Sequence, residues 1–305
     1  MSESVRHSLV NELPGSPYVH WTPMTLFDSH AHFPVASSEA HGDHIARAKT
    51  AGLCGLLAVG GGPDLDDGAI EMARMYPDFV SLAMGYDRDT ATTVAESALC
   101  LDASMQALRD RLCRLADEGI PVRVMGEIGL DFSRAPSASE QAAQQALFEA
   151  QLLLAGELEL PCSIHSREAV DETLAIMERA GSPRLRRQGR LGVIHCFTGD
   201  KPFADAAIEL GLMIGVSGIL TFRNADALRG TVATLPHGRL IVETDCPYLA
   251  PVPKRGVVNE PALIVHTALK LAEVLGITPD ECADETRMNA ERLFGIENEK
   301  TGSVK

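Results

Sequence analysis

The sequence predicts a single (β/α)8 barrel, and three observations support this. Short apolar runs alternate with longer stretches of helical character, over about 250 of the 305 residues. There are eight such runs, the number that this barrel requires. Most runs are apolar throughout, as is typical of parallel strands buried on both faces. A doubly wound open sheet is the alternative, and it is less favoured because no Gly-x-Gly-x-x-Gly turn follows the first run.

Each apolar run is assigned to one strand. In chain order the runs cover residues 25–30, 55–60, 80–85, 122–129, 161–166, 191–197, 212–218 and 239–245. Helices are predicted between them, for example over 138–156, 167–180 and 201–210. A last helix should begin near Thr278, because Thr278, Pro279 and Glu281 supply an N-cap, a first-turn proline and the acid of a capping box.

The domain organisation follows from these elements. We expect a short N-terminal extension over residues 1–24, one barrel with an extra C-terminal helix over 25–296, and a polar tail over 297–305. No run of about eighteen apolar residues occurs, so no membrane span is expected. The first residues also lack the apolar segment of a secretory signal.

Composition narrows the class of protein further. The seven cysteines form no Cys-x-x-Cys pair, which indicates reduced thiols and a cytoplasmic protein. The net charge of −15 argues against a protein that coats nucleic acid non-specifically. It leaves room for an enzyme that acts on nucleic acid through a local site.

Metal-ligating side chains stand at the C-terminal ends of five of the runs. They are His30 and His32 in and after the first run, Glu127 in the fourth, His165 in the fifth, His195 in the sixth and Asp245 in the eighth. In a barrel these strand ends meet at one mouth. Four imidazoles and two carboxylates that converge there predict a site for one or two divalent ions.

The carboxylates suggest a mechanism. Glu127 can bridge two ions, and two ions can clamp the attacking and leaving oxygens of a displacement. A metal-bound water loses its proton near pH 7, so a hydroxide can attack without a side-chain nucleophile. Asp245 is placed to bind metal and to accept that proton. Asp28 and Glu243 are predicted to orient the imidazoles, or else to be buried structural carboxylates.

Six segments carry a family resemblance: DSHAHF, GEIGLDF, PCSIHSREA, HCFTGD, SGILTF and ETDCPYLAPVPKRGVVNEPA, in this order. With them the chain resembles the TatD family of metal-dependent deoxyribonucleases, a branch of the amidohydrolase-like barrels, from about Leu26 to Phe294. The resemblance implies a TIM barrel, two divalent ions on the six ligands above, and hydrolysis of DNA phosphodiesters, often as a 3′–5′ exonuclease. One segment departs from the pattern: the third run is followed by GYDRDT, with Asp87 where the family has the histidine of Gly-x-His-Pro.

Two arginines are candidates for holding substrate phosphates. Arg167 and Arg255 follow the fifth and eighth runs and lie within the family segments IHSR and KRG. The denser arginine cluster over residues 184–190 precedes the sixth run, so it should lie at the opposite end of the barrel. Four imidazoles suit zinc or manganese, whereas the resemblance implies magnesium.

Three functions remain in competition. The first is a phosphodiesterase on DNA, with RNA as a further substrate. The second is an acyl ester or amide hydrolase of the same superfamily, for example an aminoacyl-tRNA deacylase. Many of those enzymes bridge their metals with a carboxylated lysine on the fourth strand, so Glu127 at that place favours the first. The third, a non-catalytic metal-binding protein, would be expected to lack a ligand, and none is missing. The oligomeric state stays open, and a monomer is compatible with the sequence.

Overall fold

The computed structural model describes residues 24–96 and 101–296, and it confirms the predicted barrel. Eight parallel strands pair in chain order, each with the next. The strands are β1 (Leu26–Ala31), β2 (Leu53–Val59), β3 (Val80–Met84), β4 (Val122–Asp131), β5 (Cys162–Arg167), β6 (Gly192–Ile194), β7 (Leu212–Val216) and β8 (Leu240–Val242). Every one of them overlaps a predicted run.

The barrel closes where the chain beyond β8 returns to the end of β1. Ala31 and Cys246 form a parallel bridge. The backbone N–H of Asp245 donates to the carbonyl of His30 at 2.9 Å, and that of His32 donates to the carbonyl of Cys246 at 2.8 Å. Closure therefore brings the last predicted ligand against the first two.

Helices pack around the strands. They are α1 (Ser38–Ala51), α2 (Pro63–Met75), α3 (Ala91–Glu96), α4 (Leu101–Asp117), α5 (Ala138–Leu158), α6 (Val170–Ala180), α7 (Pro183–Arg187), α8 (Lys201–Glu209), α9 (Asp226–Val232), α10 (Ile264–Leu275) and α11 (Pro279–Phe294). The Thr278 capping box forms as predicted, with Pro279 in the first turn. Helix α6 begins later than residue 167, because β5 continues through Arg167.

The interior of the barrel is filled by apolar side chains, and α11 covers its N-terminal end. The interior cluster contains Phe27, Leu57, Val59, Ala83, Val124, Val193, Met213 and Ile241 from the strands. Leu293 and Phe294 of α11 join it, and the rings of Phe27 and Phe294 are 6.0 Å apart. The N-terminal end of the barrel is therefore packed, and the polar groups collect at the other end.

Two strands carry one extra residue just before a predicted ligand. On β1, Asp28 pairs with Leu56 and Ala31 with Ala58, so three steps on β1 match two on β2. On β4, Met125 pairs with Cys162 and Ile128 with Ile164, again three steps against two. Such a bulge reverses the face to which the following side chains point.

The predicted extension and tail fall almost entirely outside the described residues, which begin at Met24 and end at Ile296. Within the described ranges no single helix is long and apolar enough to cross a bilayer, although the bent pair Pro261–Leu275 and Pro279–Phe294 passes by length and composition. The cysteines in these ranges are free thiols.

Candidate metal centre

The six predicted ligands come together at the C-terminal end of the barrel. His30 ends β1, Glu127 lies in β4, and His165 lies in β5. The remaining three, His32, His195 and Asp245, follow directly or within a few residues of β1, β6 and β8. All are buried except His165, which is partly exposed.

Glu127 lies at the middle of the group and faces two pairs of imidazoles. Its Oε2 atom is 3.7 Å from Nε2 of His30 and 3.6 Å from Nε2 of His32. Its Oε1 atom is 3.2 Å from Nδ1 of His165 and 3.4 Å from Nε2 of His195. One carboxylate therefore presents one oxygen to each pair.

Asp245 completes the first side of the group. Its Oδ1 atom is 3.5 Å from Nε2 of His32 and 3.9 Å from Nε2 of His30. Two overlapping sets have all their donor atoms within 4.8 Å of one another: His30, His32 and Asp245, and His30, Glu127 and His195. Either set has the spacing and the nitrogen and oxygen donors that a divalent cation requires.

The tautomers of two imidazoles fit a bound cation. The Nδ1 atom of His32 is 2.9 Å from the carbonyl of Val59, and a carbonyl only accepts, so Nδ1–H must be the donor. In the neutral ring the Nε2 lone pair then points to the centre. Likewise Nε2 of His165 is 3.1 Å from the Asp131 carboxylate, which leaves the Nδ1 lone pair facing Glu127.

The charge of the group is also suited to cations. Burial acts to raise the pKa of Glu127, but the imidazoles of His195, His165 and His30 lower it well below its usual value. Burial likewise opposes ionisation of Asp245, and the facing imidazoles again bring its pKa below the usual value. Both carboxylates are therefore ionised near neutral pH.

Glu243 lies behind His195. Its Oε1 atom accepts a hydrogen bond from the Cys196 backbone N–H and is 3.7 Å from Nδ1 of His195. Within the described ranges, Nδ1 of His195 and Oε2 of Glu243 are buried without a hydrogen-bond partner. A Cβ on Gly215 would come within 2.6 Å of Oε2, so a glycine there makes room for this carboxylate. This is the position expected of a group that orients the imidazole.

Asp28 is a buried structural carboxylate, the second of its two predicted roles, and the role of orienting an imidazole is not supported. Its carboxylate accepts hydrogen bonds from the backbone N–H groups of His30, at 3.3 Å, and Thr244, at 2.9 Å, and from the Thr244 hydroxyl, at 2.6 Å. The bulge between Asp28 and Ala31 is the reason, because it reverses the side-chain direction between Asp28 and His30. Asp28 instead ties β1 to the segment after β8, and burial raises its pKa to about 7.

Three residues at the centre were missed by the sequence analysis. Asp131 holds His165, as described above, and it lies four residues after Glu127 on the same strand and the same face. The Ser163 hydroxyl is 3.0 Å from Nδ1 of His30. Strand alternation could have found both, since each lies an even number of residues from a ligand on its own strand. The third is Arg88, whose Nη1 atom is 2.5 Å from Oε1 of Glu127. Its position after the third run places it at this end of the barrel, but the sequence does not indicate its contact with Glu127.

The two predicted substrate arginines lie on the C-terminal side of their strands. Arg167 is exposed at the last position of β5. Arg255 is exposed in the segment after β8, where its guanidinium lies 4.1 Å from the centre of the Phe222 ring and donates to the carbonyl of Ala250 at 2.8 Å. Both are open to solvent at the end of the barrel where the metal centre lies.

A (β/α)8 barrel that carries this donor group at the C-terminal ends of its strands has the fold and the site of a metal-dependent hydrolase. The family model described as "TatD related DNase" matches residues 27–295. The chain therefore belongs to the TatD family.

Proteins of several bacteria are similar along most of their length. The chain is 32% identical to the uncharacterized metal-dependent hydrolase YabD of Bacillus subtilis, over 89% of this chain and 99% of the relative. It is 35% identical to the 3′-5′ ssDNA/RNA exonuclease TatD of Erwinia tasmaniensis, over 83% and 92%. Among solved structures, the Escherichia coli TatD homologue YJJV aligns with a TM-score of 0.75 at 28% identity, covering 89% of this chain and 98% of that one.

Proposed function

We infer that the chain is a two-metal nuclease that hydrolyses DNA phosphodiester bonds from the 3′ end, with single-stranded RNA as a second substrate. The observation that carries this inference is the position of Glu127, with one carboxylate oxygen directed to His30 and His32 and the other to His165 and His195. Two divalent ions bound there would acidify a water molecule and neutralise charge on the scissile phosphate. The Erwinia relative, a 3′-5′ ssDNA/RNA exonuclease by name, supports the same substrate class.

The residues around that centre have different proposed roles. Asp245 is ionised and lies beside His32 at the opening, so it can accept the proton of the attacking water. Arg167 and Arg255 are the cations available to hold phosphates that flank the scissile bond. Tyr248 is about half exposed, with its ring 6.0 Å from that of His32, so an aromatic face for an unpaired base stands next to the metal centre.

The test is a digestion assay with matched substrates. Oligonucleotides of DNA and RNA, single- and double-stranded and labelled at either end, are incubated with Mg²⁺, Mn²⁺ or Zn²⁺, and an aminoacyl ester is run beside them. We expect stepwise shortening from the 3′ end that EDTA abolishes and that Glu127→Gln lacks. Hydrolysis of the ester with every oligonucleotide left intact would instead identify an acyl hydrolase and overturn this proposal.

A further inference from the structure

The segment after β3 is where the chain departs from its family, and it places a cation on the metal centre. In GYDRDT, Asp87 and Arg88 occupy the positions where His-Pro is expected. The Asp87 side chain accepts a hydrogen bond from the Thr90 N–H at 3.1 Å and caps a short 3-10 helix, Arg88–Thr90. Asp87 is therefore bound to its own loop, and Arg88 is the residue of this segment that reaches inward.

Arg88 binds the side of Glu127 that would hold the second cation. Its Nη1 atom is 2.5 Å from Oε1 of Glu127, the same oxygen that faces His165 and His195. The other oxygen, Oε2, faces His30 and His32. The guanidinium thus contacts one half of the centre and leaves the half containing His30, His32 and Asp245 untouched.

A guanidinium and a divalent cation compete for that oxygen. Both are positive, and at contact distance in a buried site their repulsion is screened much less than it is in water. A cation bound between Glu127, His165 and His195 would therefore displace Arg88 from Oε1. The side chain has room for this, because 21% of its surface is exposed against 7% for Glu127, so it lies between the carboxylate and solvent.

Displaced from Glu127, Arg88 still lies at the mouth of the centre. A planar guanidinium beside a site of positive metal charge is complementary to a phosphate, which can contact both the metals and the guanidinium fork. The Nε atom of Arg88 is also 4.0 Å from the exposed carboxylate of Asp89, on the same loop.

We propose that Arg88 is a phosphate-binding residue that exchanges partners: it neutralises Glu127 while the His165 and His195 side holds no cation, and it binds the substrate phosphate once a cation is there. The proposal has a cation half, the competition between Arg88 and a cation for Glu127, and a phosphate half, the binding of the substrate phosphate by Arg88. The phosphate half rests on the proposed nuclease function, and the cation half does not. The two halves predict effects of opposite sign when Arg88 is removed. Damage to the fold would weaken cation and phosphate binding together.

The cation half is tested by titrating Mn²⁺ into EDTA-stripped protein in a calorimeter, without substrate. We expect two binding events in the wild type, and Arg88→Gln should tighten the weaker one by about tenfold or more because a competing charge is gone. The tighter event, on the His30 and Asp245 side, should be unchanged. Arg88→Met is a second variant that checks this result, because methionine, unlike glutamine, cannot donate a new hydrogen bond to Glu127.

The phosphate half is tested with inorganic phosphate on the Mn²⁺-saturated protein. Arg88→Gln should weaken phosphate binding by about tenfold or more, the scale of one lost charge-assisted contact. Arg134→Gln is the matched control: this arginine lies near the same loop, 4.0 Å from Asp89, but its side chain is 83% exposed and makes no contact with Glu127, so both titrations should match the wild type.

The outcomes separate the two proposals. An unchanged or weaker second Mn²⁺ event in both Arg88 variants would show that the guanidinium and the cation do not compete, and it would overturn the partner exchange. Unchanged phosphate affinity would overturn the phosphate-binding role. A wild type inert on DNA and RNA, but with both predicted shifts in Arg88→Gln, would keep the competition with the cation and the affinity for phosphate, and it would refute only the nuclease function.

Discussion

Asp131→Asn should disable His165 as a ligand while leaving its position intact. In the wild type, Oδ1 of Asp131 accepts hydrogen bonds from both the backbone N–H and the hydroxyl of Ser133, at 2.9 and 2.5 Å. An asparagine must therefore keep its amide oxygen toward Ser133, and its NH₂ group then faces Nε2 of His165, which lies 3.1 Å from Oδ2 in the wild type. The imidazole has to accept at Nε2 and carry its proton at Nδ1, the atom that faces Glu127.

The expected effect of Asp131→Asn is a loss of Mn²⁺ affinity. Replacing a carboxylate that orients a metal-bound imidazole costs roughly ten- to a hundredfold in metal affinity. That corresponds to about 1.4 to 2.8 kcal/mol of binding free energy. Only one of the two Mn²⁺ binding events should weaken, because His165 faces the Oε1 side of Glu127 and has no contact with Asp245.

Calorimetric titration with Mn²⁺ measures this directly, and circular dichroism shows whether the fold is kept. Glu168→Gln is the matched control, because it removes an exposed carboxylate directly after β5, at the same mouth, and leaves the charges around Arg88 and the imidazoles unchanged. Two Mn²⁺ events of wild-type affinity in Asp131→Asn would refute the argument that Asp131 sets the tautomer of His165.

Three further changes test other parts of the site. Glu127→Gln should keep the fold but lower turnover by about a hundredfold or more, because an amide cannot neutralise cations on both sides; turnover near the wild-type rate would contradict this. Arg167→Ala should weaken DNA cleavage and reduce the slope of log KM against log salt by about 1, because one phosphate contact is lost. Arg187→Ala is the control, since Arg187 is also exposed but lies at the other end of the barrel. Burial acts to lower the pKa of His195, but the carboxylates of Glu127 and Glu243 outweigh it and raise this pKa well above its usual value. Mn²⁺ binding should then release protons and weaken as pH falls, which titrations in buffers of different ionisation enthalpy will detect.

Much of the fold and most of the candidate site follow from the sequence because the signals are local. Each apolar run is long enough to be one buried strand, and each ligand stands at the end of such a run, so a barrel topology is enough to bring His30, His165 and His195 to one mouth. The same topology places Arg88, after the third run, at that mouth, but it does not predict which group Arg88 contacts. Its contact with Glu127 joins residues 39 positions apart and depends on the conformation of a loop, which no periodicity encodes.

Strand alternation explains both a success and an error. Counted forward from Glu127, it gives Asp131 the inward direction that the structure shows, because no irregularity lies between them. Counted backward from His30, it gives Asp28 the inward direction that the structure contradicts, because a bulge lies between those two residues. Alternation is therefore reliable only on one side of a bulge, and apolar strand residues do not reveal where a bulge lies.

The two bulges also explain how one strand serves both the packed core and the metal centre. Near the bottom of β4, Val124 points into the barrel with the interior cluster, whereas Ile128 packs outside against the helices. Regular alternation from Val124 would point Ile128 inward and Glu127 outward, away from the other ligands. The extra residue between Met125 and Ile128 reverses this, so the strand has an apolar interior face below and a ligand face above. The same reversal on β1 separates inward Phe27 from His30. The geometry of the candidate metal centre thus depends on one added residue in each of two strands as much as on the identity of the predicted ligands themselves.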